Sequence, residues 1–259
     1  MRPTPRSEAG FSVLVVIPCL NEEKTVANVI SNIPAGIEAV ANVDVIVMDD
    51  GSTDATAERA RAAGADVVIH KSNQGLGATF REAVGITIER GVDIMVHIDG
   101  DGQFAPADIP KLVEPLIAGD ANMVTASRFL DKALIPEMPR VKLWGNHAVA
   151  WIVKLLTGKR FRDVSCGFRA FSRETLLRMN LFGSFTYTQE SFLDLIFKDL
   201  VILEVPVEVR GVREFGQSRI ASSIPRYAVR SLKIMMRAFV AYRPFRFFAA
   251  LAVACLLVG

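Results

Sequence analysis

The sequence predicts an α/β fold in which a parallel sheet carries helices on both faces. Two observations point there: short Val/Ile-rich runs recur through the first 130 residues, and each is followed by a longer stretch with helical spacing. A third observation sets the C-terminal end apart, where a basic stripe runs into an apolar segment. The chain has 259 residues, 51% hydrophobic and 22% charged, enough for one large α/β domain or two small ones. Its 18 Gly and 12 Pro are ordinary amounts, which excludes a collagen-like or low-complexity chain, and three Cys exclude a disulfide scaffold.

FSVLVVIP (11–18) reads as the first strand, and NEEKTVANVISNI behind it as a helix with Asn21 as N-cap and acids in its first turn. VDVIVMDD (43–50) is the second strand, after which Asp54 opens the helix ATAERARAAG and Gly64 ends it. ADVVIH is a third strand, LGATFREAVGITIERG a third helix, DIMVHID (93–99) a fourth strand and ANMVTASRF a fifth. Residues 131–209 are less regular. They hold a Pro-bearing loop (IPEMPR), a helix near 142–157, the run Asp163-Val164-Ser165-Cys166-Gly167-Phe168-Arg169, a short helix at SRETLLRM, another at 189–199 and the strand VILEVPVEVR.

Ligands of parallel sheets bind beyond the carboxyl ends of the strands. Strand one ends in Pro18-Cys19-Leu20-Asn21-Glu22, strand two in Asp49-Asp50-Gly51-Ser52 and strand four in Asp99-Gly100-Asp101-Gly102-Gln103. So many carboxylates on one rim repel each other unless cations or hydrogen-bond donors share the space. Alternate residues of extended chain face one side, so Asp99 and Asp101 can turn toward one divalent ion with Gln103 as a neutral oxygen donor. Mg²⁺ and Mn²⁺ take such ligands together with substrate phosphate oxygens. A plain Asp/Gly turn accounts for the tripeptide equally well. Asp49 to Asp54 likewise reads either as a turn with a helix cap or as carboxylates for ribose hydroxyls and base N–H groups.

Asn73-Gln74-Gly75-Leu76-Gly77 lacks the Gly-Lys-Ser/Thr of a phosphate loop, and no GxGxxG follows the first strand. Nucleoside triphosphatase and nicotinamide dehydrogenase readings both fail on those grounds. His70, His97 and His147 lack metal-ligand spacing and read as structural, while Cys19 and Cys166 lie near the rim without the marks of nucleophiles.

The net charge of +2 conceals an asymmetry. Between Arg210 and Arg246 stand nine Lys/Arg against Glu214 alone, a local excess of +8. Arg226, Arg230, Lys233 and Arg237 fall in one stripe about 60° wide on a helix. The segment FRFFAALAVACLLVG (245–259) that follows is apolar but shorter than the roughly 20 residues of a spanning helix. It reads either as a buried core helix or as the start of a transmembrane segment, with the basic helix lying on anionic headgroups. Nucleic acid is disfavoured, because aromatic interleaving is missing and the patch abuts an apolar tail. Residues 1–10 are polar, without the apolar stretch of a secretory signal, so the catalytic part is expected at the cytoplasmic face.

Taken in order, PCLNEE, DDGSTD, NQGLG, DGDGQ, SRF, DVSCGFR, QE and REFGQSR resemble the inverting family 2 glycosyltransferases, above all those acting on polyprenyl phosphates. The resemblance covers roughly residues 11–220 and implies a GT-A fold, a Rossmann-like nucleotide-binding sheet flanked by helices. It implies a UDP- or GDP-sugar donor, Mg²⁺ or Mn²⁺, and an undecaprenyl or dolichyl phosphate acceptor at a membrane. Pro18, Asn21, Glu22, Asp49, Asp50, Ser52, Asn73, Gly75, Gly77 and Asp99 then belong to the donor site, with base and ribose held by Pro18, Glu22 and Asp50. Asp99, Asp101 and Gln103 hold the metal, and Asp101, Asp163 and Arg213 carry the catalytic step. Arg128, Arg140, Arg169, Ser218 and Arg219 surround the diphosphate or the acceptor phosphate. The last motif usually ends in Ser-Lys; here Ser218-Arg219 keeps the charge and adds a fork for phosphate. Asp163 matches an acid often assigned as a base, but a phosphate acceptor is already an anion, so Asp163 can position instead of deprotonating.

The implied organisation is a polar tail (1–10), a catalytic domain (11–220), a basic juxtamembrane helix (221–244) and the start of a transmembrane segment (245–259). A soluble or polysaccharide acceptor is the competing enzyme reading, although no QxxRW signature of long-polymer synthases is present. A non-catalytic nucleotide-sugar-binding module is disfavoured by the intact DGDGQ and Arg213. The sequence leaves open the sugar, the nucleotide and a homo-oligomeric state.

Overall fold

The computed structural model describes residues 10–136, 138–183, 186–210 and 224–258. Seven strands form one sheet: β1 (Phe11–Cys19), β2 (Val40–Asp49), β3 (Asp66–Ile69), β4 (Ile94–His97), β5 (Met123–Ser127), β6 (Arg169–Ser172) and β7 (Ile202–Pro206). Their order is β3-β2-β1-β4-β6-β5-β7. The expected parallel sheet is in fact mixed, since β6 runs antiparallel to both β4 and β5. The cause lies in the connection. β5 ends at the same rim where Arg169 pairs with His97 and Thr125, so the chain re-enters the sheet from that rim and runs back down.

Along β1 the side chains alternate between two cores. Val13, Val15 and Ile17 pack with α1 (Val26–Ser31), α2 (Thr56–Ala62) and α4 (Ile109–Ile117), while Leu14 and Val16 face α3 (Leu76–Glu89), α5 (Arg140–Thr157), α6 (Arg173–Arg178) and α7 (Thr188–Phe197). Burial on both faces is why the strand reads as an unbroken apolar run.

Two helix starts test the capping expectations. Asp54 accepts from the Thr56 amide at 3.0 Å at the start of α2, and Gly64, at φ +93°, lies beyond its end. Asn21, in contrast, is not the cap of α1, which begins only at Val26. Asn21 sits at φ 57°, and its side-chain oxygen takes the Thr53 amide at 2.8 Å, tying two loops together instead.

The C-terminal part forms α8 (Ile224–Tyr242) and α9 (Pro244–Val258). Ser231, Met235 and Ala238 are buried on one side of α8, and the Tyr242 hydroxyl donates to the buried Asp194 of α7. Arg230, Lys233 and Arg237 lie on the far side, exposed, with the Arg237 guanidinium 5.0 Å above the Phe182 ring. The Arg226 side chain lies outside the described set. The expectation of a spanning segment meets a different geometry. No single helix among the described residues is long and apolar enough to cross a membrane, and α8 and α9 meet that criterion only jointly, across a bend of 109°. Pro244, which has no N–H to continue the helix, sits at that bend.

Candidate active site

Three parallel strands deliver the acidic rim. Cys19 pairs with Asp49 and Val16 with His97, so the loops after β1, β2 and β4 leave the sheet at one edge. Each loop is tied to its neighbours. The Thr25 hydroxyl donates to the Gly100 carbonyl at 2.7 Å, the Asn21 amide to the Ser52 hydroxyl at 2.9 Å, and Asp49 closes a turn by accepting from the Ser52 amide at 2.8 Å. A Cβ on Gly100 would lie 2.5 Å from the Cys19 sulfur, so only glycine lets the Asp99–Asp101 turn press against β1. The Cys19 thiol is pushed well up, by burial first and then by Glu22, Asp49, Asp99 and Asp101. Burial and the negative charge of these carboxylates keep Cys19 protonated and inert.

Asp50 is committed inside the chain. Its carboxylate accepts from the Gln74 and Gly75 amides at 2.8 and 2.9 Å and pairs with His70 at 2.8 Å. Asn73 is exposed beside them, and Gly75, at φ +89°, and Gly77 open α3. Pro18 and Glu22 remain partly exposed at the rim.

The opposing wall grows from β5 and the 163–168 loop. Asp163 is 0% exposed, and its carboxylate grips Arg128 in a fork, Nε to Oδ2 at 2.6 Å and Nη2 to Oδ1 at 2.8 Å. Burial works against the Arg128 charge, and Asp163 more than offsets it, so the guanidinium pKa is raised. Asp99 adds to that effect, which places the acidic rim within electrostatic reach of Arg128. The same 163–168 loop brings Gly167 against the acidic rim, where a Cβ, were there one, would stand 3.0 Å from an Asp99 oxygen. The Gly167 carbonyl is held from below by His97 Nδ1 at 3.0 Å and by the Tyr187 hydroxyl at 2.9 Å. Burial lowers the His97 pKa to about 3, so this support is uncharged.

Arg169 was expected to face phosphate, and the structure corrects this. It is 0% exposed, and its guanidinium donates to the Cys166, Val164 and Thr188 carbonyls and the Ser191 hydroxyl. It anchors the loop that carries Asp163 and Gly167. Cys166 is likewise buried, its thiol pushed up to about 12 by burial and Asp163. Asp101 is buried and accepts from the Gln103 amide N–H at 3.0 Å, while the Gln103 side chain donates to the Arg210 carbonyl at 2.9 Å. Arg140 is exposed at the start of α5. Arg213, Ser218 and Arg219 lie outside the described residues.

The sequence read His70 and His97 only as structural and gave no sign of their partners, Asp50 and Glu82 for His70 and the Tyr187 hydroxyl, 2.9 Å from Nδ1, for His97. Gly167 stood in a quoted motif without a role, and the only signal for the histidines was their position at strand ends.

The sequence profile described as "Glycosyl transferase family 2" matches residues 14–179, more than half of the chain. The chain belongs to glycosyl transferase family 2. This glycosyltransferase is 28% identical over 239 residues to a polyprenol monophosphomannose synthase of Mycolicibacterium smegmatis, covering 88% of this chain and 86% of that one. It is 31% identical over 182 residues to a UDP-N-acetylglucosamine–dolichyl-phosphate N-acetylglucosaminyltransferase of Methanococcus voltae, covering 63% and 70%. A glucosyl-3-phosphoglycerate synthase of Mycobacterium tuberculosis, solved with Mn²⁺, UDP-glucose and phosphoglyceric acid, matches with TM-score 0.71 at 26% identity over 90% of this chain and 81% of that one. The fold is thus the α/β GT-A type on a mixed sheet.

The donor set of the rim suits a hard divalent cation. Asp99 and Asp101 offer oxygen alone, and the one sulfur among them is held protonated. Among the described residues no group of three His, Cys, Asp or Glu is placed to enclose a metal. A two-carboxylate site completed by diphosphate oxygens is the arrangement Mg²⁺ and Mn²⁺ favour.

Proposed function

We propose that this family 2 enzyme transfers a sugar from a nucleoside diphosphate to a polyprenyl phosphate at a membrane surface. The observation that carries the reading is that one loop, 163–168, holds the Arg128 guanidinium through Asp163 and meets the Asp99 carboxylate at Gly167, which brings an anion-binding group and a cation-binding turn to the same wall. In this reading Pro18, Glu22 and Asp50 border the nucleoside and Asp99 and Asp101 hold the metal with Gln103 beside them. Arg128 binds the acceptor phosphate, and by their sequence motifs Arg140, Arg213, Ser218 and Arg219 are assigned to the same phosphate. The cation, once bound, offsets charge developing on the leaving diphosphate. Asp163 fixes the direction of the Arg128 fork, and both of its oxygens are engaged in doing so.

Support for a lipid acceptor comes from what borders the anion side. A cavity of about 750 Å³ lies beside it, lined by Phe129, Leu130, Leu143 and Trp151 together with Arg160 and Arg162. Trp144 (78% exposed), Trp151 and Leu155 share one exposed side of α5, and Phe245 (85%), Phe248 and Leu256 stand out from α9. Tryptophan and basic residues are the usual anchors at a headgroup layer. We take 11–220 as the catalytic domain, 221–244 as the helix lying on the membrane and 245–259 as the segment entering it. The names of the Mycolicibacterium and Methanococcus relatives agree with that acceptor class.

A soluble phosphorylated acceptor is the second reading, favoured by the likeness to the phosphoglycerate-bound synthase. Detergent-solubilised protein with Mn²⁺, UDP- and GDP-sugars, undecaprenyl phosphate and 3-phosphoglycerate separates the two by mass spectrometry. One sugar added to the lipid, and lost in Asp101→Ala, supports the proposal. Transfer to phosphoglycerate alone replaces it with the second reading.

A further inference from the structure

His70 is buried at the end of β3, and both of its ring nitrogens face carboxylates: Nδ1 lies 2.8 Å from Asp50 Oδ1 and Nε2 lies 2.6 Å from Glu82 Oε2. A neutral imidazole has one donor, so it would turn a lone pair toward one of these oxygens. The doubly protonated ring satisfies both. The other two contacts of Asp50 are the amides of Gln74 and Gly75. The His70 backbone amide also donates to the Asp49 carbonyl at 2.9 Å. The ring therefore joins three elements: the β2 tip, the 71–75 loop and α3. Asp50 from β2 and Glu82 from α3 are the charged groups that act on it; burial disfavours its charge, and the two carboxylates outweigh burial to raise its pKa.

We infer that His70 is a positioning residue for the nucleotide donor, whose protonated ring locks Asp50 and the Asn73–Gly75 loop into the shape that receives the nucleoside. The inference rests on the donor-site reading proposed above. Gly51, at φ +83°, shows how tightly the two loops are fitted, since a Cβ there would lie 2.9 Å from the Ser72 carbonyl carbon. Loss of the ring proton leaves a lone pair against one of the two carboxylates, of which the Asp50 side chain is 9% and the Glu82 side chain 43% exposed, and the link that holds the loop is broken on that side. The direction follows from the sign of the shift. The lock is complete below about pH 6.5, the ordinary histidine value, and is lost as pH rises through the higher value of the folded protein.

The test is nucleotide affinity by calorimetry with UDP and with GDP, each with Mg²⁺, between about pH 6 and 9, beside amide exchange of Gln74 and Gly75 without nucleotide. Wild-type affinity should fall about tenfold across that range, a size typical of a lost charge-assisted hydrogen bond. Protection of the two amides, corrected for intrinsic exchange, should fall in parallel. His70→Gln should bind weakly at every pH, raising KM for the donor with kcat little changed. Glu82→Gln, outside the donor contacts, should move the alkaline limb to lower pH. Binding in His70→Gln with the affinity and pH slope of wild type, and unchanged exchange of Gln74 and Gly75, overturns the role of His70 while leaving the donor site standing. Failure of both nucleotides to bind wild-type protein at any pH overturns the donor reading and this inference with it.

Discussion

Asp163→Asn isolates what the buried carboxylate does. The substitution keeps the side-chain shape and one acceptor oxygen but puts an NH₂ against one arm of the Arg128 fork, whose two contacts measure 2.6 and 2.8 Å. Breaking a buried pair by removing one partner costs about 3–5 kcal/mol. Asp163 is 0% exposed, but the Arg128 side chain is 22% exposed and regains some water, so the lower end, about 3 kcal/mol, applies. At roughly 2–4 °C per kcal/mol for a chain of this size, the melting temperature should drop by about 6–12 °C. Scanning calorimetry reads the stability, and steady-state kinetics should show kcat falling about a hundredfold as the guanidinium loses its aim. A double-mutant cycle with Arg128→Ala should be strongly non-additive, since either change alone removes the same pair. A melting temperature within about 2 °C of wild type, or additive losses in the cycle, would refute the claim that this pair is one unit.

Gly167→Ala should weaken Mn²⁺ binding with little change in melting temperature, because the new Cβ would stand 3.0 Å from an Asp99 oxygen and displace that carboxylate; manganese titration followed by electron paramagnetic resonance reads it, and wild-type affinity would contradict it. Tyr242→Phe removes the hydroxyl that donates to Asp194 and should cost about 1 kcal/mol. Limited proteolysis would show α8 cleaved sooner. Replacing Arg230 and Lys233 by Gln should reduce binding to anionic liposomes by roughly 2 kcal/mol at low salt, at about 1 kcal/mol per cation, with the difference shrinking as salt is raised. Liposome flotation measures it, and equal flotation would remove these cations from the membrane contact.

The parallel strands and the acidic rim were legible because β1, β4 and the last four residues of β2 are buried on both faces and apolar almost throughout, which makes their polar ends stand out; β3, at the sheet edge, was marked by its Val-Val-Ile run alone. β6 was not: four residues, Arg-Ala-Phe-Ser, opening with a charged side chain, carry no strand pattern. Arg169 looks like a surface cation until the carbonyls of Val164 and Cys166 from its own loop and of Thr188 from α7 are brought around it. The partnership of Arg128 with Asp163 spans 35 positions, and that of His70 joins three elements; only the fold supplies such pairs. The bend of 109° between α8 and α9 is not announced by the apolar run at 245–258, which reads as one continuous segment.

The most direct measurement is diffraction from crystals grown with Mn²⁺ and UDP, recorded at the manganese edge. The account predicts one anomalous peak bonded to Asp101 or Asp99 and to the diphosphate, beside the loop that holds Arg128. A peak away from that turn, or a diphosphate bound on the far side of the sheet, would contradict it.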